Sequence, residues 1–430
     1  MTRFAVILGK CISKISSLLH FGAGATWPGE VALRISPHIL SNLSSSLTKG
    51  IILVAGTNGK TTTSLMISHI LRSRNKKVIL NSSGANLLNG VISAFIQHAS
   101  WEGNIDADFG VFEIDENSLP IVLKFIKLLK LKVVIVFLNL FRDQLDRYGE
   151  VDTITEKWKK ALAKLPTETT IILNSDDPQI AYLGKDVACN VIYFGIGEEK
   201  YATAKKEHAT DSIFCLHCGA RLRYNQIYYS HLGDWYCPVC GQRRPKSALK
   251  KWMSPLPGIY NLYNTLAAVS VAKVIDIQDS AIQSALTTFS PAFGRQEEFV
   301  VNGRTVKIFL SKNPVGFNES LKTIIELGAK HILLVLNDRI PDGRDVSWIW
   351  DVDFEMIPLS MTVVVSGERA YDLAVRMKYA GNQHFITEPD LRKAISTGLE
   401  KTVANKVLYI LPTYSAMLEV RKILTGRKIL

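Results

Sequence analysis

No stretch of this chain reaches the roughly 18 consecutive apolar residues that a membrane-spanning helix needs, so none of it is expected to cross a bilayer. Cysteine is scarce too. Six in 430 residues are too few for a secreted scaffold held by disulfides, and the expected compartment is the reducing cytoplasm. Acidic residues fall short of basic ones, 39 against 51, leaving a formal net charge of +12. That excess suits an anionic partner: a phosphorylated substrate, a nucleic acid, or the anionic inner face of a membrane. Only "GQRRPKSALKK" concentrates it; elsewhere the basic residues are scattered, as on ordinary solvated surface. There is no short-period repeat, low-complexity tract or long linker. With 47% hydrophobic residues, the length suffices for two or three domains with sizeable cores.

The first residues, "MTRFAVILGKCISKISSLLHF", place Phe4, Leu8, Cys11, Ile12, Ile15 and Leu19 on one helical face. Lys10 and Lys14 interrupt the apolar run and no small-residue cleavage site follows, which argues against a secretory signal. The expectation is a helix packed on its own protein, with a helix lying on a membrane surface as the alternative.

Short β-branched runs then alternate with amphipathic segments: "IILVA" (51–55), "KVIL" (77–80), "FGVFEI" (109–114), "VVIVFLN" (133–139), "TIILN" (170–174) and "VIYFG" (191–195). This βαβ rhythm predicts an α/β fold with a parallel sheet covered on both faces. It breaks over about 200–250, a polar stretch with two cysteine pairs, and resumes with a strong helix over 261–275. After "FSPAFGRQEEF" a second, smaller α/β set begins, with strands at 306–311, 331–337, 361–366 and 407–412. The expected division is a helical segment (1–45), a central domain (46–299) with an insertion at about 208–250, and a carboxy-terminal α/β domain (300–430).

Between "IILVA" and the helical "TTSLMISHILRS" lies Gly56-Thr57-Asn58-Gly59-Lys60-Thr61-Thr62. A strand, a glycine turn and a helix start aim backbone N–H groups and the positive end of a helix dipole at an anion. Gly56 and Gly59 let the loop wrap closely, Lys60 adds a point charge, and the Thr61 hydroxyl suits Mg²⁺. Val54 stands where the longer phosphate loop has its first glycine, so this is the compact G-x-x-G-K-T form.

"CLHC" and "CPVC" place Cys215, Cys218, Cys237 and Cys240 as C-x₂-C-x₁₈-C-x₂-C, with a spacer long enough for a hairpin. Four thiolates on two tight turns suit tetrahedral Zn²⁺ with no open position, a structural and not a catalytic site. Disulfides are the competing reading and are disfavoured in a reducing compartment. His217 points away between its cysteines, and Cys11 and Cys189 are expected to be plain thiols.

The compact loop resembles that of the Mur ligase family, which couples ATP hydrolysis to carboxylate–amine ligation on peptidoglycan precursors. Other segments carry the resemblance further. "VFEIDE" is similar to the family's strand-end carboxylate, which makes Glu113 a Mg²⁺ ligand with Thr61. "YNLYN" is similar to its N-x-x-N, implying nucleotide contacts for Asn261 and Asn264, and "GRQEE" implies a phosphate contact for Arg295. Taken one at a time, each has an ordinary reading as a helix cap or a surface arginine. "FRDQLDRYG" departs from the pattern, with Gln144 where the family offers a histidine to a second Mg²⁺. The carbamylated lysine of many members has no clear counterpart, although Lys157 and Lys159 lie in the right neighbourhood.

The short amino terminus, the zinc ribbon, "SKNPVGFNES" (311–320) and "NDRIPDGRDVSWIWDVDFE" (337–355) resemble the amidating branch of the family. That resemblance implies a Mur ligase-like central P-loop domain that binds ATP and Mg²⁺, carries a zinc ribbon, and works as a heterodimer with a GatD-like glutaminase subunit. It implies phosphorylation of the α-carboxylate of D-glutamate in lipid II and capture of the acyl phosphate by ammonia, giving D-isoglutamine. It further implies that Asp345 completes the partner's Cys–His pair across the interface. Asp342 and Asp351 compete for that role, and a helix cap is the ordinary reading of Asp345. Trp348 and Trp350 are expected to be packing or interface anchors. The implied setting is cytoplasmic, or peripheral at the inner face of the membrane that presents lipid II, without nucleic acid. Two alternatives remain: a ligase that adds an amino acid, of the Mur or folylpolyglutamate type, and a zinc-ribbon NTPase on nucleic acid. The second lacks aromatics interleaved with a basic groove.

Overall fold

A strand whose side chains are all apolar must be covered on both faces. In β1 (Gly50–Ala55), Ile51 and Leu53 enter one core with Val91 and Phe112, while Ile52 and Val54 enter the opposite one with Met66 and Ile67. The computed structural model describes residues 1–18, 26–81, 84–127, 129–143, 150–203, 207–249, 252–291, 294–403 and 406–426. Its central sheet adds β2 (Val78–Leu80), β3 (Phe109–Ile114), β4 (Lys132–Phe137), β5 (Thr170–Asn174) and β6 (Asn190–Phe194). The order is β2-β3-β1-β4-β5-β6, and every pairing is parallel.

The order in which strands are added reverses between β1 and β4. The helix after β1, Lys60–Arg72, packs into one core, and the helix after β3, Leu119–Ile126, into the other. A crevice opens where such helices diverge, at the carboxyl ends of the strands. The helix Ile259–Val274 lies against Lys60–Arg72, and its Ala267 and Ala268 are fully buried, small enough for a close approach.

Between β6 and that helix, β7 (Arg223–Tyr229) and β8 (Leu232–Tyr236) form an antiparallel hairpin. The hairpin is anchored to the sheet's end: the Trp235 indole donates to the Ser175 carbonyl at 3.0 Å, and Arg244 pairs with Asp176.

A second six-stranded sheet runs β13-β12-β11-β14-β10-β9. It comprises β9 (Arg295–Val301), β10 (Arg304–Phe309), β11 (His331–Val335), β12 (Thr362–Ser366), β13 (Phe385–Thr387) and β14 (Val407–Pro412). Its strands are parallel except the edge strand β9, which runs antiparallel to β10. Residues 295–299, expected to close the central domain, therefore belong to this second sheet. Their polar "RQEE" suits an edge, where one side needs no apolar cover.

The amino-terminal helix forms over Thr2–Leu18 but shows the opposite face to the one expected. Ala5, Val6 and Gly9 are buried, and a Cβ on Gly9 would lie 3.0 Å from Ile96. Phe4 is 62% exposed and Ile15 54%. Small residues let the helix sit tightly on helices Trp27–Ile35 and Leu88–His98, so its bulky stripe turns outward. Leu19 lies outside the described residues. Among those described, no helix is long and apolar enough to cross a membrane.

Candidate nucleotide site and cysteine cluster

The loop after β1 is held by β4's continuation. The Asn139 amide donates to the Asn58 carbonyl at 3.1 Å and its Oδ1 accepts from the Asn58 N–H at 2.9 Å. The Thr57 hydroxyl donates to the Phe141 carbonyl and accepts from its N–H at 3.0 Å. Gly59 has φ +89°, and a Cβ there would lie 2.1 Å from the Asn264 amide oxygen, so only glycine fits. The helix beginning at Lys60 thus starts beneath a rigid, backbone-lined turn.

Lys60 is buried and folds back on that turn, with Nζ donating to the Gly56 and Thr57 carbonyls and to Glu116 Oε1 at 3.0 Å. The Thr61 hydroxyl donates to Glu113, which pairs in register with Val54 at the end of β3. The other Glu113 oxygen accepts the Gly84 N–H at 3.0 Å, and Asn81 Oδ1 accepts the Glu113 N–H. Hydroxyl and carboxylate oxygens meeting at a helix start form a hard-oxygen donor set that fits Mg²⁺.

A cavity of about 410 Å³ opens here, lined by Thr57, Asn58, Gly59, Lys60, Thr61, Thr62, Glu113, Asn261, Asn264 and Arg295. Of the residues expected to meet nucleotide or Mg²⁺, only Gly56 does not line it. Asn261 and Asn264 sit in the first turns of helix Ile259–Val274 and bond each other at 3.2 Å. Arg295 opens β9; burial lowers its pKa, and the Glu113 carboxylate opposes that. Gln144 lies outside the described residues. Lys157 and Lys159 do not line the cavity: the first reaches Asn117 at 3.3 Å, and the second sits 3.6 Å over the Tyr182 ring.

The second sheet supplies a wall that the sequence reading missed. Asn313 caps helix Pro314–Glu326 and exchanges two amide hydrogen bonds with Asn58, at 2.9 and 3.2 Å. Lys312 pairs with Asp143; burial opposes its charge, but Asp143 and Glu116 outweigh it and raise its pKa. Gln296 donates to Tyr260 and to the Pro257 carbonyl. Asn139, Glu116, Asn313, Lys312 and Gln296 were legible only as polar residues beside recognised motifs.

Glu319, in the same wall, is buried beside Lys322, which also pairs with buried Glu207. Burial pushes the Glu319 carboxyl up to about 7; Lys322 opposes the shift and Glu207 adds to it. Because the folded value exceeds the ordinary one of about 4.3, the folded chain holds a proton that the unfolded chain releases. This group's contribution is therefore most favourable below the ordinary value and is lost as pH rises to about 7. Glu319→Gln should flatten that decline, gaining on the order of 1–3 kcal/mol over the parent between pH 5 and pH 8. Urea unfolding of both proteins at the two pH values checks this; parallel curves would refute it.

Asp345 lies elsewhere, in a shallow surface depression with Trp350, Arg369, Tyr371 and Val375. Its two oxygens accept the Ser347 N–H at 2.8 Å and the Ser347 hydroxyl at 2.9 Å, which lower its pKa. That is an Asx-type turn leading into the short 3₁₀ segment Ser347–Asp351, whose N-cap is Val346, and the carboxylate remains exposed. Its competitors are engaged. Asp342 is buried and holds the Ser415 N–H and hydroxyl; Asp351 lies 3.4 Å from Arg142. Pro341, four residues before Asp345, lines the nucleotide cavity. Trp348 packs on Phe317, and Trp350 stacks edge-on against Tyr379.

The four sulfurs of Cys215, Cys218, Cys237 and Cys240 lie within 4.8 Å of one another, with the closest pairs at 3.5 and 3.6 Å. A tetrahedral ion with bonds near 2.3 Å would set them about 3.8 Å apart. Each pair rides a turn closed by a glycine in the left-handed region, Gly219 at φ +75° and Gly241 at φ +76°. Backbone N–H groups of Cys240 and Val239 help hold the Cys237 thiol down to about 6, whereas burial and the neighbouring thiols push Cys215 and Cys218 up, so it is the sulfur geometry that points to a metal. His217 is not among the four.

A family model for the Mur ligase middle domain matches residues 54–272, and one for the MurT ligase C-terminal domain matches residues 310–417. The lipid II isoglutaminyl synthase (glutamine-hydrolyzing) subunit MurT of Staphylococcus aureus (strain COL) is 32% identical over 416 residues, covering 92% of this chain and 91% of that protein. The same-named subunit of Streptococcus pneumoniae is 33% identical over 439 residues, covering 96% and 95%. Among solved structures, a pseudomurein peptide ligase type C from Methanothermus fervidus superposes with a TM-score of 0.67 at 23% identity, over 90% of this chain and 81% of that one. That likeness concerns the fold. With 92–96% of its length matched by such relatives, the chain belongs to the Mur ligase family, in its MurT branch.

Proposed function

We propose that this chain is the ATP-using synthetase subunit of a lipid II isoglutaminyl synthase, paired with a GatD-like glutaminase. Membership of the family implies ATP and Mg²⁺. One observation carries the reading: the phosphate loop, the β3 carboxylate, the paired asparagines and Arg295 come from distant parts of the chain to one cavity.

A carboxylate resists nucleophiles until one of its oxygens becomes part of a leaving group. In the proposed reaction the α-carboxylate of stem-peptide D-glutamate takes the terminal phosphoryl of ATP, and ADP leaves. Ammonia then attacks the acyl carbon, inorganic phosphate departs, a proton is lost, and the amide of D-isoglutamine remains. Lys60, Arg295 and the backbone donors of residues 57–61 hold the phosphoryl charge. Lys60 exchanges its Glu116 contact for phosphate in doing so. Thr61 and Glu113 would hold Mg²⁺, which neutralises phosphate charge when bound.

Ammonia needs no amino-acid pocket, which fits a sequence whose second-metal motif has drifted at Gln144. The partner is assigned to the depression around Asp345, where exposed Trp350, Tyr371 and Val375 offer an apolar surround for a carboxylate. The test is amidation of lipid II from glutamine by this chain with and without a glutaminase subunit, followed by mass. Product without the partner would remove the two-subunit reading, and incorporation of an amino acid would replace amidation.

The cysteine cluster is assigned to structural Zn²⁺. One zinc per chain is expected by elemental analysis, and Cys237→Ser should lose it. Trp235 packs among Cys215, Cys237 and Leu222, so chelation should also red-shift its fluorescence in a difference spectrum. Full zinc content in Cys237→Ser would refute the assignment.

A further inference from the structure

The amino-terminal helix keeps its sequence-predicted apolar stripe but turns it to the outside. Phe4 and Ile15 are more than half exposed, and Leu8, Cys11 and Ile12 between them are only partly covered. The adjoining flank is purely basic: Arg3, Lys10 and Lys14, with no acidic residue in Thr2–Leu18. Trp101, 47% exposed, stands beside that flank with Lys14 Nζ 4.9 Å and Lys10 Nζ 5.6 Å from its ring centre. Trp27, 67% exposed, opens the next helix.

An apolar stripe edged by cations and an amphipathic indole is the arrangement that lies in the headgroup layer of a bilayer, with ring and aliphatic groups below the phosphates and ammonium groups among them. We propose that this helix face is a docking surface for an anionic lipid bilayer, so that the enzyme works on its lipid-linked substrate while seated at the membrane. The inference rests on the substrate assigned above, and it adds the surface that brings the enzyme to that substrate.

Charge selects this occupant over others. Burial, and then the neighbouring Lys14 charge, lower the Lys10 pKa, a repulsion that lipid phosphates would relieve. A second copy would bring the same positive flank against itself. The glutaminase is assigned to the depression on the second sheet, whereas this helix packs on Trp27–Ile35 and Leu88–His98.

The experiment is sedimentation of the full chain with vesicles of equal parts phosphatidylglycerol and phosphatidylcholine, compared with phosphatidylcholine alone. Each basic residue near an anionic surface contributes about fivefold, so three give roughly a hundredfold preference for the mixed vesicles, weakening as salt rises. Phe4→Glu/Ile15→Glu should weaken binding at least about tenfold, and Lys10→Ala/Lys14→Ala about 25-fold. Phe4, Ile15 and Lys14 are exposed and Lys10 is only partly covered, so far-UV circular dichroism should be unchanged, as should amidation of a water-soluble, short-chain substrate by the complex. No preference for anionic vesicles, or unchanged binding by both double variants, would overturn the proposal. So would loss of the glutaminase complex, or of self-association, in Phe4→Glu/Ile15→Glu. Failure of vesicle binding with intact amidation removes this surface and leaves the proposed reaction standing.

Discussion

Lys60→Ala is expected to abolish ligation with either nitrogen source, by roughly 10²–10³-fold or more. The ammonium lies at the start of the helix, bonded to two loop carbonyls and 3.0 Å from Glu116, where charge on a transferring phosphoryl group has to be held. Among the described residues, no neighbouring cation is placed to replace it. Lys312 is committed to Asp143, and Arg295 enters from another strand. The substitution also leaves Glu116 buried without its ion-pair partner, which by itself is destabilising. Lys60→Ala/Glu116→Gln removes that charge and separates lost catalysis from lost folding. Product mass with glutamine and with ammonium salt is the readout, and glutaminase turnover of the complex should persist. Ligation within a few-fold of the parent would show that the loop does not grip the nucleotide.

Asp345→Asn should do the reverse. Glutamine-driven amidation is expected to fall on the order of 10³–10⁴-fold, while ammonium-driven amidation stays within about twofold, because an amide neither fixes the imidazole tautomer nor stabilises the imidazolium. The geometry favours this residue over its neighbours. Its carboxylate is exposed, is oriented by Ser347 and has a lowered pKa, whereas Asp342 is spent on Ser415 and Asp351 faces Arg142. Loss of both activities would assign Asp345 to the fold. Loss of neither would move the interface elsewhere.

Much of this was legible in the sequence because its signals are local. The run into Gly56–Thr62 needs only a strand, two glycines and a helix start, and the cysteine spacing needs only two turns. What escaped depends on contacts between segments far apart in the chain. Asn58 and Asn313 are 255 residues apart, and nothing near either one announces the pair. Strand β9 was hidden by its polarity, since edge strands lack the double-sided apolar pattern that marked the others. The first helix was found with the wrong face inward. Periodicity shows that a helix has an apolar side, but Ala5, Val6 and Gly9 decide which side another helix can approach.

Pro341 lines the cavity assigned to ATP, and Asp345 the depression assigned to the glutaminase, with only residues 342–344 between them. Four peptide units reach at most about 14 Å, and Asp342 pins this strut to the head of the last helix. So short a tether has little slack: the cavity assigned to ATP and the depression assigned to the partner are joined by one short, anchored stretch of backbone.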